Sequence, residues 1–114
     1  MKIVAFSNQK GGVAKTTSCL NLAAQAALKG KTLLIDCDKQ ANLTKNLGQE
    51  NAKTTINDLF LGRPFEIVNV RKNLDLIPSS IEFAGIDLLI SGKFARELIL
   101  KKALEKYRDD YDYV

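Results

Sequence analysis

Ala5-Phe6-Ser7-Asn8-Gln9-Lys10-Gly11-Gly12-Val13-Ala14-Lys15-Thr16-Thr17-Ser18-Cys19-Leu20-Asn21 is the stretch on which the reading of this chain turns. A short apolar run, residues 3–6, leads into a glycine pair, a Lys-Thr-Thr and a helix-like sequence. Strand, glycine-rich loop, Lys-Thr and helix in that order describe a phosphate-binding loop. Glycines let successive backbone N–H groups turn into one concavity that side chains would obstruct. A helix starting at about Ala14 or Lys15 aims the positive end of its dipole at the same spot. Lys15 adds a full charge for β- and γ-phosphates, the Thr16 hydroxyl can bind Mg²⁺, and Thr17 is placed to reach an α-phosphate. The alternative is a plain strand-to-helix turn with glycines for tight packing.

Outward from this loop, residues 2–7 read as a first strand, continuously apolar and suited to a sheet covered on both faces. The following helix, about 15–29, carries Leu20, Ala23, Ala24, Ala27 and Leu28 on one face, and Gly30 ends it. Thr32-Leu33-Leu34-Ile35 is a second strand, so strand, helix and strand imply a βαβ unit and a parallel sheet. At the carboxyl end of that strand comes Asp36-Cys37-Asp38-Lys39-Gln40-Ala41-Asn42, where open α/β sheets bind ligands. Two carboxylates beside a phosphate loop can support a Mg²⁺ shell and orient a water. Alternatively, Asp36 and Asp38 cap the next helix.

A short helix is expected from Ala41 to Gly48, and Thr55 to Phe60 reads as a capped turn of helix ending near Gly62. Residues 66–70 suggest an edge strand, and Leu74 to Ile77 a third strand followed by the turn Pro78-Ser79-Ser80. Helices are expected over 81–89 and 94–107, the second with Leu98, Ile99, Leu100, Ala103, Leu104 and Tyr107 on its apolar side. Its basic positions, among them Lys101, Lys102 and Lys106, form either a solvated face or a DNA-binding one.

With 114 residues, 46% of them apolar, the chain makes one domain with enough material for a core. It contains no histidine, which excludes histidine-based metal or acid–base chemistry, and its net charge of +4 is a weak pointer to an anionic partner. Cys19 and Cys37 lack metal-ligand spacing and read as small buried residues of a cytosolic protein. No apolar run is long enough to span a bilayer.

The general pattern G-x-x-x-x-G-K-[ST] fails twice, at Gln9 and Ala14. The variant K-G-G-x-x-K-T, from Lys10 to Thr16, resembles the deviant Walker A motif of the ParA/MinD family of ATPases. A glycine usually stands at the position of Ala14 in that family; the methyl is harmless at negative φ and costs about 1–2 kcal/mol in the left-handed region. Asp36 to Asn42 is similar to the family's A′ motif, D-x-D-P-Q-x-N, with Lys39 in place of proline, which loosens the backbone there. Pro78-Ser79-Ser80 also matches, and Tyr111-Asp112-Tyr113-Val114 is similar to the opening of the strand that carries the family's Walker B aspartate.

The resemblance, specifically to ParA/Soj-type partitioning ATPases, implies an α/β P-loop NTPase fold with a mostly parallel sheet and flanking helices. Residues 1–114 are then expected to be the amino-terminal part of a single ATPase domain, truncated before the Walker B strand. It implies binding and hydrolysis of ATP with Mg²⁺, an ATP-dependent homodimer, nonspecific DNA and a ParB-type partner. The setting is cytoplasmic and nucleoid-associated, in plasmid or chromosome segregation. By the same resemblance Lys10, Lys15 and Asp38 are catalytic, with Lys10 reaching the partner's phosphates. Lys10, Gly11, Gly12, Val13, Ala14, Lys15, Thr16 and Thr17 bind nucleotide, and Thr16 and Asp36 support the metal. Two other readings stay open: a noncatalytic nucleotide-binding fragment or regulator, and a MinD-like ATPase.

Overall fold

The computed structural model describes residues 1–10 and 14–114. Helix α1 (Lys15–Ala26) is followed by strand β1 (Thr32–Ile35), and two short helices, α2 (Asn42–Asn46) and α3 (Ile56–Leu61), come next. Strands β2 (Val68–Arg71) and β3 (Leu74–Ile77) precede α4 (Ile86–Leu89) and α5 (Ile99–Glu105). Turns of 3₁₀ helix at Ile81–Gly85 and Arg96–Leu98 lead into α4 and α5. The sheet order is β1-β3-β2, with β1 and β3 parallel and β2 antiparallel on the edge. Parallel bridges join Tyr113 to Thr32 on one side and to Lys2 on the other, so the sheet is mostly parallel.

Alternation along β3 divides the core. Leu74 and Leu76 face Ala23, Ala27, Leu34 and Leu43 on the α1 side. Ile77 faces Leu33, Ile56, Leu59, Ile86 and Leu104 on the other. Fully burying a side chain such as Ile56 or Leu76 contributes about 2 kcal/mol, and α1 can lie close to the sheet because its contact residues are alanines. Thr55 caps α3 through a reciprocal box in which the Asp58 carboxylate accepts from the Thr55 amide at 2.9 Å, and Gly62 closes the helix at φ 76°. Gly48, likewise left-handed, ends the chain segment after α2.

Several expectations need correction. Residues 2–7 do not form a strand: only Lys2 makes a bridge, and Ile3 and Val4 are more than half exposed. The run is apolar, but a strand needs a ladder. Its partner, residues 112–114, supplies only the bonds Lys2 N–H to Asp112 O, Val4 N–H to Val114 O and Val114 N–H to Lys2 O. Helix α1 stops at Ala26 rather than 29, so Leu28 falls in the closing turn and is 78% exposed instead of joining the apolar face. The helices expected over 81–89 and 94–107 each begin as 3₁₀ turns, with α5 confined to Ile99–Glu105. Cys37 is exposed and Cys19 only half-buried, because residue 37 lies past the end of β1 in the acidic loop.

A buried polar cluster holds residues 111–114 against the sheet. The Tyr111 hydroxyl donates to Asp75 Oδ2 at 2.8 Å and Asn69 Nδ2 to Asp75 Oδ1 at 2.7 Å. Lys31 Nζ lies 3.8 Å from the same carboxylate and 4.8 Å from the Tyr111 ring centroid. Burial first, then the hydrogen bond and charge of Asp75, push the Tyr111 phenol well above its ordinary range. An unfolded tyrosine ionises near pH 10. The stabilisation is therefore complete below about pH 10 and is lost as pH rises from there through the raised folded value. Tyr111→Phe is expected to cost about 1–2 kcal/mol at pH 8 and to flatten the loss between pH 8 and 11. Urea melts across that range check this; an equally steep loss in the variant would refute the assignment.

Candidate nucleotide site

Helix α1 begins at Ala14, which adopts the left-handed conformation at φ 58° and ψ 26°. No side chain caps the helix and no acidic residue stands in its first turn. The first intrahelical bond runs from Ser18 N–H to Ala14 O, so the amides of residues 15–17 find no acceptor among the described residues. A free, positively polarised helix start of this kind suits an anion. Because Ala14 occupies a conformation that a Cβ disfavours, Ala14→Gly is expected to stabilise the fold by roughly 0.5–1 kcal/mol. A melting temperature raised by a few degrees would bear this out, and an unchanged or lowered one would count against it.

Opposite the helix start, β1 delivers Asp36 into the interior, where it is only 3% exposed. Its Oδ1 accepts the Asp38 N–H at 3.0 Å; its Oδ2 accepts both the Thr44 N–H at 2.9 Å and the Thr44 hydroxyl at 2.6 Å. Asp38 stays partly exposed, its Oδ1 accepting the Gln40 N–H at 3.2 Å and its Oδ2 lying 3.8 Å from Lys15 Nζ. Asn42 Nδ2 approaches the same oxygen at 3.4 Å. A turn closed by Ala41 N–H on Asp38 O at 3.0 Å puts Lys39 in its second position, the seat that proline favours. The turn forms with lysine there.

Lys15, Thr16, Asp36 and Asp38 line one cleft of about 390 Å³, together with Ser7 and Asn8. Lys10 and Thr17, both exposed, do not line it, and Gly11, Gly12 and Val13 lie outside the described residues. Desolvation of the sulfur first, and then the Asp36 charge, raise the thiols of Cys19 and Cys37, the latter to about 11 even though the residue as a whole is exposed. Neither cysteine is therefore a poised thiolate, although both line the cleft and residue 37 is open on its surface. Sequence reasoning missed Thr44, and it placed Ser79 in the matching turn Pro78-Ser79-Ser80 without giving it a role at the site. A threonine directly after Leu43, a few residues past an acidic loop, was the available signal.

A mostly parallel α/β sheet with a left-handed residue before a Lys-Thr helix start and a strand-end aspartate pair around one cleft is a P-loop NTPase fold. The chain belongs to the AAA domain family, whose model matches residues 1–114. It is 40% identical to the sporulation initiation inhibitor protein Soj of Bacillus subtilis over 121 residues, covering 99% of this chain and 47% of that protein. Among solved structures, cobyrinic acid a,c-diamide synthase from Mycobacterium smegmatis, with bound ATP analog and magnesium, superposes with a TM-score of 0.93. The two are 33% identical over 99% of this chain and 49% of that one. A plasmid partition protein from Borrelia burgdorferi superposes at a TM-score of 0.81, 31% identical over 98% of this chain and 52% of that one. The resemblance to ParA/Soj-type proteins therefore extends over the whole sequence, while the chain spans about half the length of the relatives it matches.

Proposed function

We propose that this chain contributes the phosphate-binding half of an ATP-hydrolysing, ParA-type partition protein acting in plasmid or chromosome segregation. The observation that carries the reading is the meeting of Lys15 and Asp38, 3.8 Å apart, beside an uncapped helix start. Both side chains are partly exposed, so their ion pair is worth no more than about 1 kcal/mol. Phosphate oxygens can therefore draw Lys15 away at little cost, and Asp38 is then free to accept a hydrogen bond from an attacking water. That water forms a bond to the γ-phosphorus as the bond to the β–γ bridging oxygen breaks, giving ADP and phosphate.

Mg²⁺ fits the donor set of this cleft. Asp36 already accepts three hydrogen bonds, leaving about one acceptor position on Oδ1, which suits a contact through water. With the Thr16 hydroxyl it would hold the ion, whose charge would offset that of the β- and γ-phosphates. Gly11, Gly12, Val13, Ala14 and Thr17 supply the remaining phosphate contacts in this reading.

Lys10, exposed ahead of the loop, reaches the phosphates of a second copy in an ATP-dependent dimer, where it neutralises developing charge. Nonspecific DNA and a ParB-type partner complete the cycle in the cytoplasm, on the nucleoid. Support comes from the Soj and plasmid partition relatives and from the deviant lysine motif. No helix among the described residues is long and apolar enough to cross a membrane. The test is ATP turnover by the intact protein, with and without duplex DNA and its partner. Slow turnover that rises when both are added is expected. ATP binding without turnover would favour the noncatalytic alternative, to which the left-handed Ala14 lends weight.

A further inference from the structure

Two residues outside the motif close a ring around Asp38. Thr44 is fully buried, and its hydroxyl has one proton to give. That proton goes to Asp36 Oδ2 at 2.6 Å, because a carboxylate only accepts and the other neighbour, the Ser79 N–H, only donates, to Thr44 Oγ1 at 2.8 Å. The Ser79 hydroxyl in turn donates to the main-chain carbonyl of Asp38 at 3.1 Å, and the Asp38 N–H donates to Asp36 Oδ1 at 3.0 Å. Asp36, Thr44, Ser79 and Asp38 thus form a closed circuit across the carboxyl ends of β1 and β3 and the first turns of α2. Both main-chain polar groups of Asp38 are held by ring members, which fixes the direction of its Cα–Cβ bond. The Asp38 side chain itself has only long or weak contacts, at 3.2–3.8 Å, so its aim depends on that backbone clamp.

We propose that Thr44 is a positioning residue for the hydrolytic step, acting through Asp36 and Ser79 to set where the Asp38 carboxylate points. The proposal rests on the reading of Asp38 as the water-orienting group. Loss of the Thr44 hydroxyl would remove the shortest of the three hydrogen bonds that hold the Asp36 carboxylate and leave the buried Ser79 N–H without an acceptor. The phosphate-binding residues Lys15 and Thr16, outside the ring, would keep their places. A displacement of about 1 Å in a reacting group can cost on the order of 100-fold in rate.

The test compares Thr44→Val, which keeps the shape, with Thr44→Ser, which keeps the hydroxyl, in the intact protein. Thr44→Val is expected to lower kcat for ATP by about tenfold or more with KM changed less than about threefold; Thr44→Ser is expected to restore most of the rate. A Thr44→Val protein that is folded and turns over at the wild-type rate would overturn the proposal, as would a Ser variant no better than Val. Should Thr44→Val fail to fold, Ser79→Ala removes the ring's hold on the Asp38 carbonyl, leaving that oxygen only the Ala41 N–H, and must show a fall in kcat at constant KM; a wild-type rate there overturns the proposal equally. Failure of the ATPase reading is distinguished by the wild type, which would then not hydrolyse ATP, whether or not it binds it. Amide exchange still decides the ring in that case. Faster exchange at Asp38 and Ser79 in the Val variant, with α1 unchanged, supports it, and unchanged protection at both refutes it.

Discussion

Replacing Lys15 by alanine is expected to abolish tight ATP binding while leaving the fold intact. Lys15 supplies the full charge at the cleft that is free to move to the β- and γ-phosphates, and charge-assisted hydrogen bonds of this kind contribute about 1.5–3 kcal/mol each. A loss of roughly 3 kcal/mol corresponds to an affinity weaker by on the order of 100-fold. The folded state, by contrast, forfeits only a partly exposed ion pair with Asp38, worth about 1 kcal/mol or less. Equilibrium binding of a labelled ATP analogue, read beside a thermal melt, separates the two effects. Unchanged affinity in a normally folded Lys15→Ala protein would rule out the phosphate-binding assignment.

Asp38→Ala should have the complementary effect, with ATP retained and hydrolysis stopped. The Asp38 carboxylate does not belong to the helix start or the Lys-Thr pair that hold phosphate, and its shortest contact is a 3.2 Å one from the Gln40 N–H in its own turn. Truncation removes the group that orients water, for which a loss of about 10²–10⁴ in rate is typical. It also removes the negative charge facing Lys15, so nucleotide affinity should rise slightly. In the proposed cycle the variant would accumulate as an ATP-bound dimer on DNA. Phosphate release and DNA retention measured on the same preparation test both halves of this expectation; wild-type turnover would exclude Asp38 from the chemistry.

Much of this architecture is legible in the residues because the deciding interactions are local. Thr32 to Ile35 and Leu74 to Ile77 are short, largely apolar stretches, the second broken by Asp75, and both are strands at the expected limits. Thr55 and Asp58 make a capping box within one turn, and Gly48 and Gly62 adopt the left-handed conformations that end their segments. The edge strand begins two residues later and ends one residue later than expected, at Val68–Arg71, since an edge has only one neighbour to fix its register and a bulge interrupts this one. Residues 2–7 show the limit of the method. Apolarity says that a segment should be covered, not which ladder will cover it.

For the site, the loop pattern and the family resemblance together singled out Lys15, Thr16, Asp36 and Asp38, and all four line one cleft. Local chemistry also foresaw the cost at Ala14, conditional on a φ that only the folded backbone could supply; it is 58°. What tertiary structure decided was the division of labour between the two aspartates. Asp36 is buried and committed to Thr44, eight residues on, while Asp38 stays partly exposed and faces Lys15. Thr44 meets Ser79 across 35 positions of sequence, and Tyr111 meets Asp75 across 36. Such partners are chosen by the register of parallel strands and by the helix packed on them, which bring distant segments within hydrogen-bond reach. Sequence determined which chemistry the chain carries and where its strands and caps lie, because those depend on residue type and near neighbours. Only the packed sheet determined which carboxylate is scaffold and which is free to act.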